Sequence, residues 1–148
     1  AIAGNDEENY LETLLPLADA CGVRQRITVL GPVQGADKAF LFRRAMVTVL
    51  PSAYPENFGI VVLEALSHGC PVVVTPEVGL AGWVSETDAG LVSQGEPRTL
   101  ASAISSLLDD PARRRRMTSA GPQRVLEQFG WPTVARQIEA VYRQITPQ

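Results

Sequence analysis

Pro51-Ser-Ala-Tyr-Pro-Glu56-Asn-Phe-Gly-Ile60-Val-Val-Leu-Glu64-Ala-Leu-Ser-His-Gly69-Cys-Pro71-Val-Val-Val74 decides the fold. A largely β-branched run from Val47 to Leu50 leads into it and reads as a strand buried on both faces. Pro51 ends that strand, because it has no N–H for a ladder bond. A loop then carries Glu56. An almost wholly apolar helix starts near Phe58 and holds a single acid, Glu64. Gly69 stops the helix, and a second buried strand runs from Pro71 to Val74. A carboxylate among apolar neighbours is costly unless hydrogen bonds satisfy it. No Lys or Arg lies within one turn of Glu64, so a ligand rich in hydroxyl groups would complete its hydrogen bonding. Two alternatives stand beside that reading: an ion pair with Arg43 or Arg44, and a contact with His68 one turn on.

Outward from this stretch, the periodicity predicts strands alternating with helices. Asn9 to Ala20 places Tyr10, Leu11, Leu14, Leu15, Leu17 and Ala18 at helical spacing before Gly22. Ile27 to Leu30 reads as a short buried strand, and Ala36 to Ala45 as a helix with Phe40, Leu41 and Ala45 inward. Thr75 to Ala89, rich in Gly, Pro and acids, reads as loop. Leu91-Val92 is a last short strand. Helices come next at Thr99 to Leu108, Ala112 to Ala120 and Pro122 to Phe129, the last two separated by Gly121. Pro132 opens a final helix to Gln144 with Val134, Ile138, Val141 and Tyr142 as its stripe. Such alternation predicts an α/β fold, a Rossmann-like parallel sheet with helices on both faces. Ligands of such sheets bind beyond the carboxyl ends of the strands. The loops Gly31 to Gly35, Pro51 to Phe58 and Thr75 to Trp83 stand there.

With 148 residues, 45% of them hydrophobic, the chain suits one domain, residues 1–148, with one sizeable core. Charged residues make up 20% and the net charge is -3, which favours neither nucleic acid nor an anionic membrane surface as partner. No apolar run approaches the ~20 residues that span a bilayer. The two cysteines, Cys21 and Cys70, read as free thiols in a reducing, cytoplasmic compartment. His68 is the single histidine, which argues against a His-based metal site. Arg113 to Arg116 reads as a solvated helix face. Ala1-Ile-Ala-Gly4 reads as the tail of a buried strand, so the chain is expected to be part of a longer one.

Asn57, Phe58, Gly59 and Ile60 open a helix directly after a strand and loop. Their backbone N–H groups would point at the crevice, and Gly59 admits close approach of a ligand. A helix N-terminus of this kind suits a diphosphate. Taken alone, these residues are better explained by a plain capped helix. Glu56 and Glu64, eight positions apart, shift the balance toward a sugar nucleotide, since carboxylates accept hydrogen bonds from vicinal hydroxyls. Trp83 reads either as a stacking partner for a sugar ring or as packing.

Pro51-Ser52, Glu56-Asn57-Phe58-Gly59, Glu64-Ala65 and Gly69-Cys70-Pro71-Val72-Val73 together resemble the Glu-x7-Glu region of retaining GT-B glycosyltransferases of family four, the glycogen-synthase-like group. Ile2-Ala3-Gly4, Arg26-Ile27-Thr28-Val29-Leu30-Gly31, Leu107-Leu108-Asp109-Asp110-Pro111 and Phe129-Gly130-Trp131 extend the resemblance over nearly the whole chain. It implies the C-terminal, donor-binding domain of a two-domain enzyme, with the family's first strand missing before Ala1. It further implies that Glu64 holds the ribose hydroxyls and that Glu56 is the catalytic residue beside the donor sugar. The backbone at Asn57, Phe58, Gly59 and Ile60 would meet sugar and diphosphate, and Val33 the base edge. No cofactor and no metal are implied, only a UDP-, GDP- or ADP-linked sugar as donor substrate. The missing N-terminal domain would bind the acceptor, and peripheral membrane contact of the intact enzyme stays open. The final helix would cross to that domain.

Departures are as informative. The Arg and Lys that clamp phosphates in the family would lie before Ala1. Where the family shows Gly-Gly-x-x-Glu after its strand, this chain has Glu77-Val-Gly-Leu-Ala-Gly82-Trp83, with Gly82 in place of the acid. Gly35 stands where some relatives use an acid to read guanine, which points toward another base such as uracil. A non-catalytic module that binds a nucleotide or sugar nucleotide is the alternative reading. A dinucleotide-dependent enzyme is disfavoured by the absence of Gly-x-Gly-x-x-Gly after a first strand.

Overall fold

The structure is a computed structural model and describes residues 1–6 and 8–145. It divides into two compact units, residues 1–38 and 39–148. The first holds β1 (Ile2–Ala3), α1 (Leu11–Ala20), a 3-10 turn at Arg24–Arg26, β2 (Val29–Gly31) and the start of α2 (Gly35–Arg44). Strands β1 and β2 pair in parallel, Ile2 opposite Val29 and Ala3 opposite Gly31. Among the inward residues expected of α1, Ala18 is buried, but Tyr10 and Leu17 are exposed.

The second unit carries β3 (Thr48–Leu50), α3 (Ile60–Ser67), β4 (Val72–Val74), α4 (Ala81–Glu86), β5 (Gly90–Val92), α5 (Pro97–Leu108), α6 (Pro111–Phe129) and α7 (Trp131–Ile145). Its three strands form a parallel sheet in the order β3-β4-β5. β4 is buried along its whole length. Pleating sends alternate side chains to opposite faces. Val72 and Val74 accordingly join Val62, Leu63 and Leu66 of α3, Val84 of α4 and Val125 of α6. Val73 meets Leu107 of α5 and Met117 of α6 on the other side, with Val49, Leu91 and Ile104. The expected α/β architecture is therefore present, with parallel strands and helices on both faces of this sheet. β3 is only half-buried, contrary to the expectation of burial on both faces.

Three helix expectations need correction, and the first two strands, read as buried, are exposed apart from half-buried Gly31. The inward residue of α2 is Phe42, whereas Phe40 and Ala45 are exposed. The stretch Thr75 to Ala89 is not all loop, because Leu80, Ala81 and Val84 enter the core and hold six residues as α4 without a side-chain cap. Residues 111–129 form one continuous helix across Gly121 and Pro122. Gly121 is a contact point rather than a break: a Cβ there would lie 3.0 Å from the Leu66 carbonyl oxygen. Burial of α6 against α3 outweighs the helix-breaking propensity of the Gly-Pro pair. Helix α7 is present as expected; it has no buried residue, and its stripe is exposed at Ile138, Val141 and Tyr142.

Cys21 and Cys70 are free, the first exposed and the second buried. No helix among the described residues is long and apolar enough to cross a membrane. Burial pushes the Cys70 thiol above its ordinary pKa, partly offset by its contact with the Thr48 hydroxyl at 3.1 Å. The thiolate is the reactive form. Ellman's reagent at neutral pH should thus titrate one thiol in the native protein and two in guanidinium chloride, with the second site in the native protein responding only at higher pH.

Candidate functional site

After β3, residues 51–59 take an irregular path, and the segment after β4 holds them in place. The Thr75 hydroxyl donates to the Ser52 carbonyl at 2.7 Å. Further along, the Glu56 N–H donates to the Glu77 carbonyl at 2.9 Å, and the Gly79 N–H donates back to the Glu56 carbonyl at 2.8 Å. These two bonds make a parallel bridge between Glu56 and Val78. Glu56, Asn57 and Phe58 are exposed, so the loop presents its side chains outward.

Gly59 turns this loop into α3. Its φ of 80° lies in the left-handed region, and it occupies the N-cap position without a side-chain cap. A Cβ at this point would stand 2.7 Å from Val78 Cγ1 and 3.2 Å from Leu50 Cδ2. The backward ladder begins with Val62 N–H donating to the Gly59 carbonyl at 2.9 Å. The amides before it are those that every α-helix leaves without an intrahelical acceptor, and the helix dipole adds partial positive charge there. The helix starts at Ile60 rather than near Phe58, which leaves Asn57 and Phe58 on the loop itself.

Glu64 lies half-buried in the second turn of α3, with its Oε2 closed to solvent. Core residues Val62, Leu63, Ala65 and Leu66 surround it along the helix and fix its placement. His68 reaches back to Glu64 through the backbone: its Nδ1 bonds the Glu64 carbonyl oxygen at 2.9 Å, so that nitrogen carries the proton. Arg43 and Arg44 are exposed in the last turn of α2.

Glu56, Asn57, Phe58, Gly59, Ile60 and Glu64 thus ride on one loop–helix element. Val33 is half-buried in the other unit, in the loop between β2 and α2. A cleft of about 410 Å³ opens in that unit, lined by Ile2, Gly4, Tyr10, Leu14, Val29 and Pro32, and contains none of residues 56–64. Trp83 is engaged in packing. Its ring meets Phe129 edge-on at 5.1 Å, and its Nε1 donates to Gln128 Oε1 at 2.7 Å. Phe129 also meets Phe58 edge-on at 5.8 Å. Among the described residues, no group of three or more His, Cys, Asp or Glu is placed to hold a metal ion.

Sequence reasoning missed the contribution of Thr75, Val78 and Gly79. The available signal was a threonine closing a run of three valines, with a glycine four positions later.

Known proteins share this fold. The model of the family described as glycosyl transferases group 1 matches residues 1–124. A D-inositol 3-phosphate glycosyltransferase of Xylanimonas cellulosilytica is 37% identical over 131 residues, which are 88% of this chain and 31% of that protein. Sucrose-phosphate synthase from Thermosynechococcus elongatus superposes with a TM-score of 0.81 at 31% identity, over 96% of this chain and 37% of its own. Anabaena Alr3699/HepE, solved in complex with UDP and glucose, gives a TM-score of 0.84 at 25% identity, over 97% and 40%. The chain spans about a third of the length of the curated relatives it matches.

The geometry of Gly59 is testable by itself. Gly59→Ala would force an L side chain into a left-handed backbone against Val78, a conformation that costs about 1–3 kcal/mol. Gly82→Ala meets nothing within 4 Å and lies inside α4, so it should be neutral or slightly stabilising. Urea unfolding of the two variants should separate them by at least about 1 kcal/mol.

Proposed function

The chain belongs to the group 1 glycosyl transferases, and on that premise we propose that it is the donor-binding, C-terminal portion of a retaining enzyme that moves a sugar from a nucleotide-sugar to an acceptor hydroxyl. The observation that carries the reading is the loop–helix element at residues 51–67. It sets two carboxylates, Glu56 and Glu64, on either side of a helix N-terminus formed at Gly59.

Each part has a chemical role under this reading. Glu64, held in a helix whose neighbouring residues are core, accepts hydrogen bonds from the vicinal hydroxyls of the ribose. The N-terminal amides of α3 face the diphosphate, where a fixed dipole stabilises the charge that grows as the glycosidic bond to phosphate breaks. Glu56, on the solvent side, stands at the donor sugar, with the backbone of Asn57, Phe58, Gly59 and Ile60 beside it. The donor is a nucleoside diphosphate sugar, with UDP the first candidate. The bound UDP in the Anabaena protein supports that order, as does Gly35 in this chain. The rest of the enzyme supplies the acceptor domain and the basic groups that clamp the phosphates. The exposed stripe of α7 suits contact with that domain. Neither cofactor nor metal is needed by the residues assigned.

Calorimetry on the intact enzyme with UDP, GDP and ADP and their sugar conjugates tests the reading. One nucleotide series should bind, and Glu64→Ala should weaken it. Loss of hydrogen bonds to a charged acceptor is worth about 1.5–3 kcal/mol, or roughly tenfold to a hundredfold in Kd. Equal affinity of wild type and Glu64→Ala would remove Glu64 from the site.

A further inference from the structure

We propose that Thr75 and Gly79 are positioning residues for Glu56, so that the segment after β4 sets the donor-sugar end of the site while α3 independently sets the nucleotide end. The proposal rests on the reading that Glu56 stands beside the donor sugar.

Glu56 has an exposed side chain on an irregular loop, so side-chain packing does not hold it. Its position is inherited from its backbone. That backbone is tied down by the Thr75 hydroxyl donating to the Ser52 carbonyl and by two backbone hydrogen bonds, Glu56 N–H to the Glu77 carbonyl and Gly79 N–H to the Glu56 carbonyl. Thr75 has no solvent exposure, so the Ser52 carbonyl is what satisfies its buried hydroxyl. Gly79 permits the closest approach. A Cβ on it would stand 2.2 Å from the Asn57 carbonyl oxygen, 2.9 Å from the Asn57 carbonyl carbon and 3.2 Å from Phe58 Cα. All three are backbone atoms with no rotamer to change. Any side chain at position 79 therefore displaces residues 56–58. Glu64 is placed by different contacts, since its helix is anchored through Val62, Leu63, Ala65 and Leu66. The two carboxylates are thus separable by mutation.

The test uses the intact enzyme, with UDP against UDP-glucose, or the GDP or ADP pair if calorimetry selects it. Gly79→Ala and Thr75→Val should each lower kcat at least tenfold and weaken the sugar conjugate. Affinity for the bare nucleotide should stay within twofold of wild type. Thr75→Ser, which keeps the hydroxyl, should recover most of the loss, and Gly82→Ala should behave as wild type. If Gly79→Ala does not fold, the Thr75→Val and Thr75→Ser pair carries the test alone. Equal loss of nucleotide and nucleotide-sugar affinity would overturn the proposal, as would an unchanged kcat in the folded variants. A wild-type enzyme that binds no nucleoside diphosphate would instead overturn the donor-site reading on which the proposal stands.

Discussion

Val72, Val73 and Val74 have essentially no solvent exposure, and the organisation of the larger unit stems from their burial. A strand this short is worth little as an isolated ladder. Its stabilisation comes from burying each side chain, at about 1.5–3 kcal/mol apiece before the entropy of ordering is counted. Pleating divides that burial between two layers. Val72 and Val74 require α3, α4 and α6 on one face, and Val73 requires α5 and α6 on the other. The helices are held by this strand more than by their own propensities, as α4 and the Gly-Pro pair of α6 demonstrate.

The same strand places the loop that bears Glu56. β3 and β4 run in parallel register, Leu50 opposite Val74, so their carboxyl ends stop side by side. The loops leaving the two strands must then share one edge of the sheet. Thr75 reaches the Ser52 carbonyl, and the Glu56 loop pairs with residues 77–79. Close approach is possible because Gly79 offers no side chain toward Asn57, and the turn into α3 is possible because Gly59 accepts a positive φ. A rigid core strand thus ends in a short polar latch, and the latch carries an exposed carboxylate. Loops that bear function on a fixed scaffold commonly have this construction.

Much of this was legible in the amino-acid order. Each expected strand exists within a residue or two, because runs such as Val47 to Leu50 and Pro71 to Val74 combine β-branched side chains with flanking Pro or Gly. The Glu56 loop and the α3 helix with its lone acid were legible for the same reason. The errors have a common cause. α4 is six residues with Gly82 inside and no cap, so nothing local marks it as helix. Gly121-Pro122 carries strong local breaking signals that tertiary contact overrides. On α2, the choice of Phe42 over Phe40 depends on which way the helix is turned against the sheet, a property its own periodicity leaves open.

The order of residues by itself determined the alternation of strand and helix, the parallel pairing it demands, the family, and the two acids flanking a glycine-started helix. The alternation and pairing depend on periodicity and on residues whose backbone preferences act locally, and the family on the resemblance of its motifs. Only the tertiary structure decided that the stretch after β4 grips the Glu56 loop, that Trp83 packs on Phe129, and that α6 runs unbroken past α3. Each of these is a contact between segments distant along the chain, and its free energy comes from exclusion of water and from hydrogen bonds that exist only after the sheet has aligned the ends of its strands.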